Sequence, residues 1–291
     1  MLNYMKYDVG TMGNHDVETG HAVYDRWVKQ CAFPVLGANI VDNKTGEPYL
    51  TPYKIIERKG VKIAVLGMIT PAIPSWLPEQ LWNGLHFEDM EDCARKWVKI
   101  IKEKENPDVL IGLFHAGPEG NKLDNVVENG SGDVAKNVPG FDVVFMGHDH
   151  VRRCEKIVNV AGDSVLLVDP ANAARYVSDV TVKVTKAGGK LVRKSVEGAL
   201  ADVSRYAADE DFMREFAGQY QATVDFVSRK IGRIEETITT KDAYLGPSAF
   251  IDLLHQLQLD ITGADISFTF PRSEVNVFFS RAIGAGSSFC I

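Results

Sequence analysis

The sequence predicts an α/β layered fold, and three observations carry that prediction. Apolar, strand-like runs alternate with helical patterns through the first two-thirds of the chain, the signature of strands and helices packed in layers. Turn residues, Asn106-Pro107 and Pro139-Gly140 among them, stand where elements must stop. After Ser164 the pattern shifts to a half-exposed strand pair and then a long helix that leads into a second, smaller unit.

The elements follow in order. Val35 to Ile40 and Val61 to Gly67 read as buried strands. From Asp89 to Lys104 the residues Met90, Cys93, Ala94, Trp97, Ile100 and Ile101 recur with helical spacing, and Asn106-Pro107 ends that helix. Val109 to Phe114 is the next strand. A short helix is expected from Gly132 to Asn137 with Ser131 as its cap, and Pro139-Gly140 turns the chain into a strand from Phe141 to Met146. Val165 to Val168 continues the sheet. Val180, Val182 and Val184 alternate with Thr181 and Lys183, and Ala187-Gly188-Gly189-Lys190 forms a hairpin turn into Leu191 to Val196. One helix is expected from about Ala208 to Arg229, with Phe212, Phe216, Tyr220 and Val224 on one face. The second unit opens with a strand from Ile231 to Thr239 and a helix near Pro247 to Leu257, with proline in its first turn.

Composition excludes several classes of function. At 291 residues the chain allows about two domains, and 45% hydrophobic with 24% charged residues is globular rather than disordered or fibrous. The 32 basic and 39 acidic residues leave a net charge of −7. With no basic stripe, a nucleic-acid polymer is not the expected partner. Cys31, Cys93, Cys154 and Cys290 form no C-x-x-C pair, which argues against a zinc ribbon or a disulfide scaffold. The longest apolar run, Val61 to Thr70, is too short to span a membrane, and Met1 to Asp8 lacks the apolar stretch of a signal peptide.

Three short segments carry the chemistry: Gly13-Asn14-His15-Asp16, Phe114-His115-Ala116-Gly117 and Gly147-His148-Asp149-His150. Each follows an expected strand, and loops at the carboxyl ends of strands in an α/β sheet converge on one crevice. Four of the seven histidines fall in these loops. Neutral imidazole suits Zn, Mn, Fe and related ions, an Asn carbonyl can complete such a shell, and glycine beside each ligand is expected to let the backbone turn sharply. A lone histidine after a strand, such as His115, is more often a hydrogen-bonded structural residue than a metal ligand, so the argument rests on convergence. His21, His86 and His255 match no motif and are read as structural.

In their order along the chain, the three segments resemble the calcineurin-like metallophosphoesterases. Gly37-Ala38-Asn39-Ile40-Val41-Asp42, Thr45-Gly46, Thr51-Pro52-Tyr53 and Val138-Pro139-Gly140-Phe141-Asp142 are similar to the bacterial 5′-nucleotidase and 2′,3′-cyclic-nucleotide 2′-phosphodiesterase branch. The stretch Ile231 to Phe270 resembles the start of that branch's C-terminal nucleotide-binding domain. The resemblance implies a metallophosphoesterase β-sandwich flanked by helices over residues 1–205, a connector helix over 206–230, and the beginning of a nucleotidase C-terminal domain over 231–291. It implies a hydrolase of nucleotide phosphomonoesters or cyclic diesters that uses two divalent ions, Zn, Mn or similar. Asn14, His115 and His148 would hold one ion and His150 the other. His15 would be catalytic, assisting the leaving oxygen as a metal-activated hydroxide attacks phosphorus, with Glu18 standing where some members have a partnering Asp. UDP-sugar hydrolysis and thiosulfohydrolase chemistry share the scaffold and stay open.

The same resemblance leads one to expect an Asp-x-His and a Gly-Asp motif upstream of Gly13, where only Met1 to Met12 stand, and a longer C-terminal domain than the tail after Pro271 provides. The expectation is therefore a chain truncated at both ends, with its first strands and bridging carboxylate missing. The alternative function is then a catalytically silent fragment, and oligomerisation through the exposed sheet edge is expected. The family resemblance also implies a periplasmic or secreted protein.

Overall fold

The computed structural model describes residues 1–120, 122–123, 126–233, 238, 240, 243, 246–269 and 283–284. The chain divides into two compact units, Met1–Ala207 and Ala208–Ile291.

The first unit opens with one helical turn, α1 (Leu2–Met5), the short strand β1 (Gly10–Thr11), the single turn α2 (Asn14–Val17) and the helix α3 (His21–Gln30). Where the sequence predicts one strand over 35–40, the structure has two, β2 (Val35–Leu36) and β3 (Ile40–Asp42). The interruption has a physical cause. Ala38 N–H donates to the Gly67 carbonyl at 2.7 Å, and Asn39 bonds the backbone N–H and carbonyl of Ile69, so the chain turns off its own strand path to dock on a neighbour.

β4 (Tyr53–Arg58) and β5 (Val61–Ile69) form a hairpin, α4 (Ile73–Trp76) is a short turn, and β6 (Leu85–Phe87) pairs with β3. α5 (Met90–Glu105) takes Asp89 as its N-cap, its carboxylate accepting from the Glu91 and Asp92 amides. It stops at Asn106, which adopts the left-handed conformation at φ 45°. β7 (Val109–His115) follows, then the minor strands β8 (Lys122–Leu123) and β9 (Val126–Val127) and the helix α6 (Ser131–Asn137). Ser131 is the first residue of α6 rather than its cap. Its hydroxyl donates to the Ala116 carbonyl at 2.7 Å, a bond that ties the helix start to the loop after β7. β10 (Val143–Phe145), β11 (Arg152–Val158), β12 (Ser164–Pro170) and the long hairpin β13 (Tyr176–Ala187) with β14 (Lys190–Asp202) complete the unit. The hairpin turns where expected, with Gly188 and Gly189 both at positive φ.

Six of these strands form one mixed sheet in the order β11-β12-β10-β7-β5-β4. β5, β7, β10 and β12 run parallel, and the flanking β4 and β11 are antiparallel to their neighbours. The strands β5, β7 and β10 are laid down in one direction, so α5 and α6 pack on the same face. Alternation along each strand divides the core. Ala64, Leu66, Leu110, Phe114, Val144, Val165 and Leu167 face the helices with Cys93, Ala94, Val98, Val134 and Phe141. Val143, Leu166 and Val168 face the opposite way, against Val180, Val182, Val196 and Leu200 of the β13–β14 hairpin. Fully burying each such side chain contributes roughly 1.5–3 kcal/mol. Of the expected sandwich, the described residues show a six-stranded mixed sheet with helices on one face and, on the other, the β13–β14 hairpin and the β1–β2 pair, whose Leu36 packs on Gly67 of β5.

At the amino end of the parallel strands the hairpin is held by charge. Lys194 Nζ lies 2.6 Å from Asp142, whose carboxylate also accepts from the Leu110 amide, and Lys186 Nζ lies 2.8 Å from Asp108. The histidine loops emerge at the opposite, carboxyl end.

In the second unit the predicted helix over 208–229 is two helices, α7 (Glu210–Glu215) and α8 (Ala217–Val227), because Phe216 leaves helical geometry at ψ 11°. β15 (Lys230–Gly232) occupies the start of the strand expected over 231–239, of which residues 234–237 and 239 lie outside the described residues. α9 (Ala249–Thr262) starts one residue past Ser248, leaving Pro247 before the cap, and it runs beyond Leu257 to Gly263, whose left-handed φ of 66° ends it. β16 (Ile283–Gly284) pairs antiparallel with β15. Among the described residues no helix is long and apolar enough to cross a membrane.

Candidate active site

Parallel pairing brings the ends of β5 and β7 level, with Ile69 opposite His115, and the Thr70 amide donates to the His115 carbonyl at 2.9 Å. His115 is therefore fixed as the last residue of a central strand. β10, the neighbour on the other side, ends at Phe145 and releases Met146-Gly147-His148 into the same space. β1 pairs in parallel with β2, and two residues after it Gly13 leads into α2, which begins at Asn14.

The three segments meet at the Asn14 amide oxygen. His115 Nε2 lies 2.9 Å from Asn14 Oδ1 and His148 Nδ1 lies 3.3 Å from it, across 101 and 134 residues of sequence. The two imidazole rings stand edge to face with centroids 5.3 Å apart. Asn14 is 9% exposed, so the cluster is largely withdrawn from water. Burial first, and then the charges of His148, His15 and His150, push the His115 imidazole down to about 4. At neutral pH its ring is uncharged.

The glycines act through proximity rather than through the sharp turns expected of them. Gly13 is extended, at φ −112° and ψ 169°, and a Cβ there would lie 3.0 Å from the His115 ring. A Cβ on Gly117 would come within 2.8 Å of both Asn129 Oδ1 and Asp149 Oδ2. The unusual backbone belongs to the histidines themselves, His148 at φ 84° and His150 at φ 60°. Left-handed geometry costs a non-glycine residue about 1–2 kcal/mol, so the surrounding contacts must hold these two in place.

His15 stands apart from the buried pair. Its ring is 74% exposed, and its Nδ1 lies 2.8 Å from Glu18 Oε2 one helical turn on, which leaves Nε2 facing outward. Asp16 turns back to accept from the Gly13 amide at 2.8 Å, and burial raises its carboxyl above the usual range. His150 is exposed. Of the histidines outside the motifs, His21 is bonded to Asp25 and the Asn83 carbonyl, His86 to Asn43, and His255 to Ser267.

Four contributing residues carried no signal in the sequence. Glu128 Oε1 lies 3.0 Å from His148 Nε2, and the Trp76 ring lies 5.3 Å from the His148 ring. Asn129 Oδ1 accepts from the Gly117 amide at 2.6 Å, holding the loop after His115. Asp169, the penultimate residue of β12, is fully buried, and burial together with the adjacent Asp149 carboxylate pushes it up to about 6. As single polar residues in loops they look like any others; only the sheet brings them to the histidines.

Two ring nitrogens and an amide oxygen converging in a buried spot, with one ring held neutral, form a donor set that fits one divalent ion of the borderline kind. Among the described residues no three His, Cys, Asp or Glu side chains gather on a single point, so these three donors alone leave the shell of such an ion incomplete. A cavity of about 500 Å³ beside β1 is lined mainly by apolar groups, Leu2, Tyr7, Val9, Trp27 and Phe33 among them, and reaches Asp16 of the first motif.

No protein-family model matches the chain. It is 29% identical over 286 residues to the 2′,3′-cyclic-nucleotide 2′-phosphodiesterase/3′-nucleotidase of Haemophilus influenzae, a match covering 88% of this chain and 43% of that protein. Its fold superimposes on the calcineurin-like phosphoesterase YfkN of Bacillus subtilis with a TM-score of 0.67 at 24% identity, covering 78% of this chain and 74% of that one. A 5′-nucleotidase precursor from Thermus thermophilus gives 0.66 at 20% identity, over 90% and 52%. The chain spans less than half the length of the curated relatives it matches first, 19% of one and 43% of two others. The chain thus shares a mixed-sheet fold with these solved phosphoesterases and is similar in sequence, along most of its length, to 2′,3′-cyclic-nucleotide phosphodiesterases and nucleotidases.

Proposed function

We propose that this chain carries the core of a metal-dependent hydrolase of nucleotide phosphoric esters, either 5′-phosphomonoesters or 2′,3′-cyclic diesters. The convergence of His115 Nε2 and His148 Nδ1 on Asn14 Oδ1 is the observation that supports it. In this reading Asn14, His115 and His148 hold one divalent ion, and His150 belongs to a second position. A bound ion of this kind polarises a phosphoryl oxygen and lowers the pKa of water.

The remaining work falls to the chain's own groups. Burial keeps His115 neutral and the pocket poor in water, which strengthens its interactions with an anion. His15, oriented through Nδ1 by Glu18, presents Nε2 to the leaving oxygen and delivers a proton there as the ester bond breaks. The mild overall acidity of the chain does not oppose a phosphate substrate, since the charge that matters is local.

A second reading is favoured by the incomplete donor set: the chain holds a single ion and does not turn over. Assays of the purified chain with AMP and with 2′,3′-cyclic AMP, in the presence of Mn²⁺ or Zn²⁺, separate the two. Hydrolysis abolished by a chelator and reduced at least 100-fold by His15→Ala supports the hydrolase. Binding of one ion per chain without turnover supports the second reading, and hydrolysis unaffected by chelation refutes the metal-dependent mechanism.

A further inference from the structure

We infer that Glu128 is a positioning residue that fixes the ring of His148 for metal binding, an inference that rests on the metal reading of Asn14, His115 and His148. An imidazole has two nitrogens, and in its neutral form only one carries a lone pair. Which one is available is set by the hydrogen bond the other makes. Glu128 Oε1 lies 3.0 Å from Nε2 of His148, and a carboxylate can only accept there, so the Nε2 position keeps its proton. The lone pair is then left on Nδ1, the nitrogen that faces Asn14 Oδ1 and the His115 ring.

Further observations make this a built arrangement. The His148 side chain is 11% exposed and that of Glu128 31%, so water competes weakly for the pair. Trp76 and His115 both lie with ring centroids 5.3 Å from that of His148, restricting rotation of its ring. The backbone of His148 is strained at φ 84°, and a side-chain anchor is one of the few ways a loop can hold such a residue. The next residue, Asn129, accepts from the Gly117 amide at 2.6 Å and so steadies the segment that carries His115. One dipeptide at the end of β9 thus serves both histidines, Glu128 through the ring and Asn129 through the loop.

The test is calorimetric titration of the metal-free full chain with Zn²⁺, on wild type, Glu128→Ala, Glu128→Gln and His148→Ala, alongside ¹⁵N chemical shifts of the His148 ring. Loss of a partner of this kind costs about 10–100-fold in metal affinity, which is the fall expected for Glu128→Ala. Glu128→Gln, which keeps an acceptor oxygen, recovers most of it. The ring shifts should report a protonated Nε2 in wild type and a redistribution toward protonated Nδ1 in Glu128→Ala, a signature that mere loosening of the fold does not produce. Unchanged Zn²⁺ affinity and unchanged ring shifts in Glu128→Ala, with affinity lost in His148→Ala, overturn the role of Glu128 alone. Zn²⁺ binding that survives His148→Ala overturns the metal reading, and the role of Glu128 with it.

Discussion

Acid should destabilise the metal-free protein through His115, and the size of the effect follows from its burial. The imidazole has an ordinary value of 6.5 and is held at about 4 in the folded state. Between those values the unfolded chain binds a proton that the folded one refuses, so stability rises with pH across that window and is fully present only above it. Falling from pH 7.5 to pH 5, this one group should remove about 2 kcal/mol, and about 3 kcal/mol by pH 4. Asp169 works against it: its carboxyl is raised to about 6 by burial and by Asp149, so the folded state gains a proton over the same range and is relatively stabilised by acid. The net slope of the wild type therefore mixes the two, and the comparison must be made with His115→Gln, which leaves Asp169 in place. Urea unfolding at pH 7.5 and pH 5 should show the wild type losing about 2 kcal/mol more than the variant. Equal losses, or an NMR titration of His115 near its ordinary value, would refute the claim that the folded site keeps this ring neutral.

Two further predictions concern the framework that presents the site. Asp142 receives both the Leu110 amide and the Lys194 ammonium, so Asp142→Ala leaves the Leu110 amide without this acceptor and Lys194 without its carboxylate, holding only the Asp108 carbonyl, and should cost about 3 kcal/mol in urea unfolding. Lys194→Met keeps the amide bond and should cost about 1–2 kcal/mol; a lysine variant as damaging as the aspartate variant would contradict this ordering. Gly67 lies beneath β2, where an added Cβ would fall 2.2 Å from Leu36 Cβ. Gly67→Ala should lower stability by about 2–3 kcal/mol through overpacking, seen as a lower thermal midpoint, and an unchanged midpoint would mean that β2 is not seated on β5 as described.

The sequence was most legible where one physical signal dominated. The helix from Met90 to Glu105 has its apolar stripe, its Asp89 cap and its Asn106-Pro107 stop within one continuous stretch, and its bounds agree with expectation to one residue at each end. The parallel strands β5, β7, β10 and β12 are near-continuous apolar runs because both of their faces are covered, and they too are found where expected. Legibility failed where a distant contact overrode local pattern. Asn39 leaves its strand to bond Ile69, Ser131 gives its hydroxyl to Ala116 instead of capping α6, and the helix over 208–229 breaks at Phe216. The strand β11 leaves no signal in the sequence because, at the sheet edge, it is mostly exposed and charged and lacks an apolar run.

For the site, the sequence by itself determined which residue types could do the chemistry and the order in which they occur: Asn14 and His15, then His115, then His148 and His150, in three motifs short enough to be read locally. Only the tertiary structure decided which of them meet. The register of β5, β7 and β10 brings His115 and His148 to one amide oxygen, and burial at that point makes His115 neutral, a property no single residue possesses alone. The tertiary fold also assigned the reason for the glycines, since Gly13 and Gly117 are required by what packs against them and the left-handed backbone falls on the histidines instead. Glu128, Asn129, Trp76 and Asp169 entered the site on the same terms. Their hydrogen bonds, ring contacts and charge coupling depend on distance in space, which strand pairing sets and which spacing along the chain does not encode.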